Sequence, residues 1–318
     1  MFSTYVGSMK KLKFLFFPTI LALTLGLMIS CSDKDESSSS GTSAPVSLYA
    51  ASGYVQKGPF IQGTTITVWE LDSNLVQTGR SFIGTIDDNT GSFNIKGVLS
   101  YKMVEITASG YYFNEVSGSL SNAPLTLQAI ADLTDSSSVN VNMMTHLEKK
   151  RVEYLLNSEI TFAEAKTQAQ TEIMKIFNIG NVSLGSSETL NISKSGDGNA
   201  VLLAISILLQ HINTEGELTE LLSNIINDIR TDGTLDSTAI KNALKAQEED
   251  FDIGCYRAAG NNASCNCISN LPPLQSGTTL KICGSNTRTN LEERYRDVGL
   301  SASIPAFESY LHNLWNTP

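Results

Sequence analysis

The chain has 318 residues, a net charge of −10, five cysteines and three histidines. The length suggests two domains. The acidic balance argues against nucleic acid, whose phosphates demand lysine and arginine, and against charge-driven docking on anionic lipid.

The first organising feature lies near the N-terminus. Met9-Lys10-Lys11-Leu12-Lys13 is basic, the sixteen residues Phe14 to Ile29 carry no charge, and Ser30-Cys31 follows. A secretory leader needs only a short apolar core, whereas a spanning helix needs roughly 20 apolar residues. Met28-Ile29-Ser30-Cys31 resembles the lipobox of bacterial lipoproteins, with Met28 in place of the usual leucine. The resemblance implies that residues 1–30 are a cleaved signal peptide and that Cys31 is lipidated and becomes the mature N-terminus. An uncleaved membrane helix is the rival reading, and Met9 is an alternative start. Two or more acyl chains anchor a protein stably where one does not. The leader carries three lysines and no acid, so the mature chain would stand near −13. Ser32 and the acidic run Asp33-Lys34-Asp35-Glu36 resemble the surface-export tags of Bacteroidota lipoproteins. Outside that phylum the same run is a solvated linker.

Residues 31–48 are otherwise Ser, Gly, Thr and Pro with almost nothing apolar, a composition that reads as a flexible tether. From residue 49 to 142 short alternating runs take over, including Thr65 to Leu71, Ser92 to Ile95 and Met103 to Thr107. Turn signals at Lys57-Gly58-Pro59, Gln62-Gly63, Asp87 to Gly91 and Ser109-Gly110 separate them. Short strands with turns every 8–12 residues or so imply a β-sandwich. Gly53-Tyr54-Val55, Gly63 to Val68, Thr85 to Ile95 and Ala108 to Tyr112 resemble the carboxypeptidase regulatory-like, transthyretin-like family. That resemblance covers about 80 residues. It implies an Ig-like structural module and brings no catalytic residues.

After Asn142 the period becomes helical. Met143 to Leu156 carries the stripe Met144, Leu147, Val152, Leu155. Thr161-Phe162-Ala163-Glu164 reads as a capping box, opening a helix that runs to about Ile179. Asp197-Gly198-Asn199 precedes the most apolar stretch after the leader, Ala200 to His211, which predicts a helix buried all round but too short to span a bilayer. Glu217 to Arg230, Leu235 to Glu249, Leu291 to Val298 and Pro305 to Trp315 predict further helices. Together residues 143–318 read as an α-helical domain interrupted by a cysteine-bearing loop over 252–287. The ordered segments around Val141 to Leu147, Arg151 to Leu155, Phe162 to Lys166 and Ala200 to Ser206 resemble uncharacterised bacterial surface lipoproteins that join a β-module to a helical region.

Cys255, Cys265, Cys267 and Cys283 fall within 29 residues. In an exported protein two disulfides are the default, with three possible pairings. Cys265 with Cys267 is disfavoured because a one-residue spacing strains the bridge. A zinc site is the rival reading, although Cys-Asn-Cys does not match the usual spacing.

Signs of catalysis are weak. His146, His211 and His312 lie in helical patterns outside any recognised motif, and there is no nucleophile elbow, metalloprotease or nucleotide-binding signature. Asp228 to Asp236 has part of the spacing of a calcium loop, but Arg230 and Ala239 stand where oxygen ligands are needed. A Gly-containing turn explains it better. The consecutive aromatics Tyr111, Tyr112 and Phe113 put at least one ring on the outer face of a strand, where a ring can stack on a ligand; core packing is the commoner use. Asp236-Ser237-Thr238 resembles a Bacteroidota O-glycosylation sequon.

These observations add up to an α+β chain, with an N-terminal β-sandwich and a disulfide-bearing helical region. The expectation is a lipid-anchored outer-membrane protein, surface-exposed or periplasm-facing and without cofactor or metal, with a non-enzymatic binding or scaffolding role toward an envelope protein or a glycan. Two alternatives stay open: an accessory glycan-binding protein, and a hydrolase of unknown type in the helical region.

Overall fold

In a computed structural model, residues 47–158, 160–180, 182–211, 213–249, 284–307 and 310 are described. The chain is α+β. Nine strands come first: β1 (Ser47–Gln56), β2 (Thr65–Leu71), β3 (Gln77–Thr85), β4 (Ser92–Leu99), β5 (Met103–Gly110), β6 (Phe113–Asn114), β7 (Ser119–Leu120), β8 (Leu125–Asp132) and β9 (Val141–Asn142). The helices follow: α1 (Met143–Leu155), α2 (Phe162–Ile176), α3 (Asp197–Gln210), α4 (Glu215–Ile229), α5 (Thr238–Glu249) and α6 (Gly284–Asp297).

The strands make a three-stranded sheet, β4-β1-β9, a four-stranded sheet, β3-β2-β5-β8, and the small β6-β7 pair. All pairings are antiparallel except β1 with β9. Side chains alternate across a strand, and the sequence obeys this. Ile66 and Val68 of β2, Val104, Ile106 and Ala108 of β5, and Phe93 and Ile95 of β4 are buried in one cluster. Glu70 is the exception in β2. It is buried among these positions because its carboxylate accepts hydrogen bonds from Thr78 Oγ1 at 2.8 Å and from the Ser100 and Tyr101 amides.

A single residue converts strand into helix. Asn142 pairs in β9, and its side chain then accepts from the Thr145 amide at 3.0 Å while Thr145 Oγ1 accepts from the Asn142 amide at 2.9 Å. This capping box satisfies two of the donors a helix start leaves open. Helix α1 lies over the outer face of the four-stranded sheet, where Leu71 and Ile130 meet Val152, Leu155, Ala165 and Ala169. Helix α3 is buried all round from Ala200 to Gln210. Its side chains belong to the same buried cluster as the sheets, α4 and Leu291 and Tyr295 of α6. The boundary expected after Asn142 thus falls within one continuous core, and all the described residues lie in one compact unit.

The helices depart from expectation mainly at their ends. Helix α3 starts at Asp197 rather than Ala200, and α4 at Glu215, where Thr214 and Glu217 form a capping box. Helix α2 stops at Ile176, short of Ile179, and α6 runs from Gly284, inside the loop expected over 252–287 and ahead of the expected Leu291 start, to Asp297. Residues 301–307 are not helical, so the helix expected from Pro305 is absent over its described first residues. Cys31, the leader and the tether up to residue 46 lie outside the described residues, as do Cys255, Cys265, Cys267 and Cys283.

Candidate functional site

Two buried lysines organise the polar chemistry of the interior. The first is Lys57, at the turn after β1. Both it and Glu115 are fully buried, with Lys57 Nζ 2.5 Å from Glu115 Oε1. Ser206 Oγ of α3 lies 3.0 Å from the same Glu115 oxygen and 2.9 Å from the Lys57 carbonyl. Lys57 Nζ also sits 5.7 Å above the centre of the Tyr112 ring, and the Tyr112 hydroxyl donates to Gln210 Oε1. Burial pushes the Lys57 ammonium pKa down against the pull of Glu115, and pushes the Tyr112 phenol up. Glu115 Oε2 makes no hydrogen bond with the described residues. Gly58 is required beside this pair, because a Cβ there would lie 1.9 Å from the Phe113 carbonyl oxygen. The cluster ties the sheet end to α3 and is sealed from solvent.

The second is Lys166 on α2. Its ammonium sits between Glu148 of α1 and Glu188 of a 3-10 turn, Ser187–Thr189. That turn is held from β9: the Asn140 amide donates to the Glu188 carbonyl at 2.8 Å, and Asn142 Nδ2 to the Ser187 carbonyl at 2.8 Å. Ser187 Oγ donates to Glu148 Oε2 at 2.9 Å. Burial pushes the Glu148 carboxyl up to about 7, with Lys166 opposing and Glu188 adding to the rise. Lys166 is raised in turn, since its two carboxylates outweigh its burial.

Lys166, Ser187 and Glu188 of this cluster line a cleft of about 730 Å³, while Glu148 is fully buried and does not line it. The cleft's walls are the β8–β9 connection from Asp132 to Val139, the first turns of α2 from Thr161 to Gln170, and the 184–189 segment. Thr161 accepts from the Glu164 amide, and Glu164 returns a bond to the Thr161 amide at 2.8 Å, so the expected capping box fixes the α2 wall. The volume falls in the range of small-molecule sites. No histidine or cysteine lines it.

The residues singled out from sequence are scattered. His146 is pushed down to about 4 by burial and by Lys149, which keeps its imidazole neutral. His211 is buried at the end of α3. His312 lies outside the described residues. In the Asp228–Asp236 segment, Asp228 Oδ2 accepts from the Asp236 amide at 2.6 Å and Asp232 Oδ1 from the Thr234 amide at 2.9 Å. Gly233 has φ of 76°, and a Cβ there would strike the Glu172 carboxylate at 2.1–2.5 Å. Arg151 clamps this turn, donating to both Glu172 oxygens and to the Thr231 carbonyl at 2.6 Å. These carboxylates are spent on the backbone. Among the described residues no group of three or more acidic, histidine or cysteine side chains could hold a metal ion. Of the aromatic run, Tyr112 is in the core, Phe113 is half-buried beneath Arg294, and Tyr111 is exposed.

The cleft itself was not anticipated. The available hint was Lys166 beside Ala165 and Ala169, a charged residue on the side of α2 that faces the core. Comparison of the chain with protein-family models, with curated proteins and with solved structures finds no match.

Proposed function

We propose that the chain is a lipid-anchored protein of the bacterial cell envelope with a non-enzymatic binding or scaffolding role. The observation that carries this reading is the leader ending in Met28-Ile29-Ser30-Cys31, followed by a polar segment that gives way to β1 at Ser47. Lipidation at Cys31 would fix the chain to the outer membrane, with the polar segment as its spacer. Two facing sheets of the order given above support the finer reading of residues 49–142 as a carboxypeptidase regulatory-like, transthyretin-like sandwich. In a compartment outside the cytosol, Cys255, Cys265, Cys267 and Cys283 would pair as two disulfides. Among the described residues no helix is long and apolar enough to cross a membrane. The non-catalytic role rests on the buried charges, most of whose polar atoms satisfy one another rather than face a reacting group.

The test is membrane fractionation of the full chain with mass spectrometry of its N-terminal peptide. A diacylglyceryl-modified Cys31 in the membrane fraction, lost in Cys31→Ala, is the expected result. An unmodified N-terminus in the cytosol sinks the reading.

A further inference from the structure

One end of the strand layers gathers several separate segments. There β1 begins at Ser47, paired with Leu99 of β4, and residues 100–102 lead on into β5. At the same end β2 finishes at Leu71, opposite Met103 of β5 and Gln77 of β3, and β5 begins opposite Asp132 of β8. The two sheets are joined here. Arg80 of β3 donates to the Val98 carbonyl at 2.8 Å, and the Glu70 carboxylate of β2 accepts from the Tyr101 amide at 3.2 Å. Large apolar side chains stand in water at this end. Leu48 and Val98 lie directly opposite each other on β1 and β4, on the side away from buried Ala51, Ile95 and Leu99, and are 72% and 41% exposed. Val76, in the turn between β2 and β3, is 59% exposed, and Tyr101 is 43% exposed. A scattered apolar residue on a surface is ordinary. These four are brought to one end by strand register, which makes them a patch.

The charged groups around the patch balance, with Arg80, Lys96 and Lys102 against Glu70, Asp72 and Asp132. Asp72 is in addition spent on its own turn, accepting from the Asn74 and Val76 amides at 2.8 and 2.9 Å. This end therefore exerts no net electrostatic pull, and what it offers is aliphatic surface with a tyrosine. What lies against it follows from where the chain enters the fold. Ser47 is sixteen positions after Cys31. A Ser-rich coil of that length spans about 20–24 Å, so a lipidated Cys31 would keep this end close to the headgroups. The opposite end also exposes apolar side chains, Tyr111 and Leu120, but it lies roughly 30 Å further along β1. Tyrosine favours the headgroup level of a bilayer, and aliphatic side chains entering the interface add to the hold of acyl chains. We infer that the end bearing Leu48, Val76, Val98 and Tyr101 docks on the phospholipid surface, its aliphatic side chains in the interface and Tyr101 among the headgroups. The inference rests on the Cys31 anchor proposed above and adds a fixed orientation to it.

The experiment uses the full lipidated chain in phosphatidylcholine vesicles whose acyl chains are brominated close to the headgroup, with and without phosphatidylglycerol. Val76→Trp and Tyr101→Trp place a fluorophore in the patch, and Leu120→Trp places one at the opposite end. All three positions are exposed, and an unchanged unfolding midpoint verifies the fold. The emission added over the two tryptophans of the parent chain is compared between brominated and plain vesicles. Flotation of each chain with the vesicles reads the anchor separately. The expected result is that all chains float, that Val76→Trp and Tyr101→Trp lose most of the added emission, that Leu120→Trp keeps it, and that phosphatidylglycerol changes nothing. Adding Leu48→Ser and Val98→Ser to the Tyr101→Trp chain should restore its emission with flotation unchanged. Docking is overturned, with the anchor left standing, if the chains float but none is quenched, if Leu120→Trp is quenched as strongly as the other two, or if the paired serine substitutions restore nothing. Quenching that requires phosphatidylglycerol overturns it as well, by assigning the contact to charge. A chain that does not float removes the anchor and this assignment together.

Discussion

The two buried lysines use the same chemistry in opposite settings. Lys57 and Glu115 are both fully buried, wedged between the sheet end and α3, with Tyr112 and Gln210 closing over them. Lys166 and Glu188 also sit below the surface, but they line an open cleft, with only Glu148 of this cluster fully buried. Removing a charge from water is expensive, and an ion pair in a dry interior recovers that expense only with good geometry. A pair that nothing can reach has no outlet except structure. A cluster two of whose charged members border a cleft keeps solvent within their reach. The difference separates a polar cluster closed on all sides from one that borders open space.

The sharpest test is to remove each cation. Lys57→Met leaves Glu115 buried without a counter-charge and should destabilise the chain by roughly 3–5 kcal/mol. Lys57→Met with Glu115→Leu should recover most of that, because an apolar pair of similar size fits a dry site. Lys166→Met should lose about half as much, since water in the cleft can reach Glu188. Urea unfolding at pH 7 measures all three. Equal losses for the two single variants would erase the distinction between a closed and an open cluster.

The second test is pH. Glu148 is raised in the folded chain from an ordinary 4.5 to about 7, chiefly by burial. The folded state therefore holds its proton more tightly than the unfolded one. The stability this group contributes is fully present below pH 4.5 and is lost as pH rises through 7. Lys166 has a raised pKa, so its contribution is lost only at alkaline pH and does not compete in this window. His146, held near 4 by burial and by Lys149, pulls the other way over much of this window, so the prediction is a difference: relative to the parent, Glu148→Gln should gain stability as pH rises from 4.5 to 7, by a few kcal/mol at most. Chemical unfolding at four or five pH values reads the slope. A parent-minus-variant stability difference that does not fall with pH across this range would mean that Glu148 is ionised in the fold.

How much of this was legible in the sequence depends on range. Period-two alternation placed β2 at Thr65–Leu71, and the Thr161–Glu164 box placed the start of α2, because both signals are local. The Thr214-x-x-Glu217 box was equally present and would have moved the α4 start to its observed place. The polar clusters were invisible for a physical reason. Lys57 meets Glu115 across 58 positions and Ser206 across 149, while the Lys166 site joins residues 148, 166 and 188 only once β9 has pinned the 187–189 turn. A lysine in a turn after a strand, or one on an Ala-rich helix, reads as solvated until the fold brings its partner. The continuous core across residue 142 was hidden likewise, since a change of period marks a change of secondary structure and says nothing about whether the core is shared.

The finest test uses the two threonine caps, which stand one on each side of the comparison. Thr161 opens the α2 wall of the cleft; Thr214 opens α4 just after Gln210 and Asn213, beside the closed cluster. Each threonine accepts from the N3 amide and receives a glutamate in return, so Thr161→Ala and Thr214→Ala should each cost about 1 kcal/mol. Equal global costs should conceal unequal local ones. The α2 start borders open space, so Thr161→Ala should speed amide exchange in its first turn through local fraying without global unfolding. Helix α4 is tied at its start by the Asn122 amide to Glu215 Oε1 at 3.0 Å and packs Leu218 and Leu222 into the core. There, Thr214→Ala should leave exchange governed by the whole fold. Hydrogen exchange read peptide by peptide distinguishes the two, and faster local exchange at α4 than at α2 would reverse which side of the molecule is the pliant one.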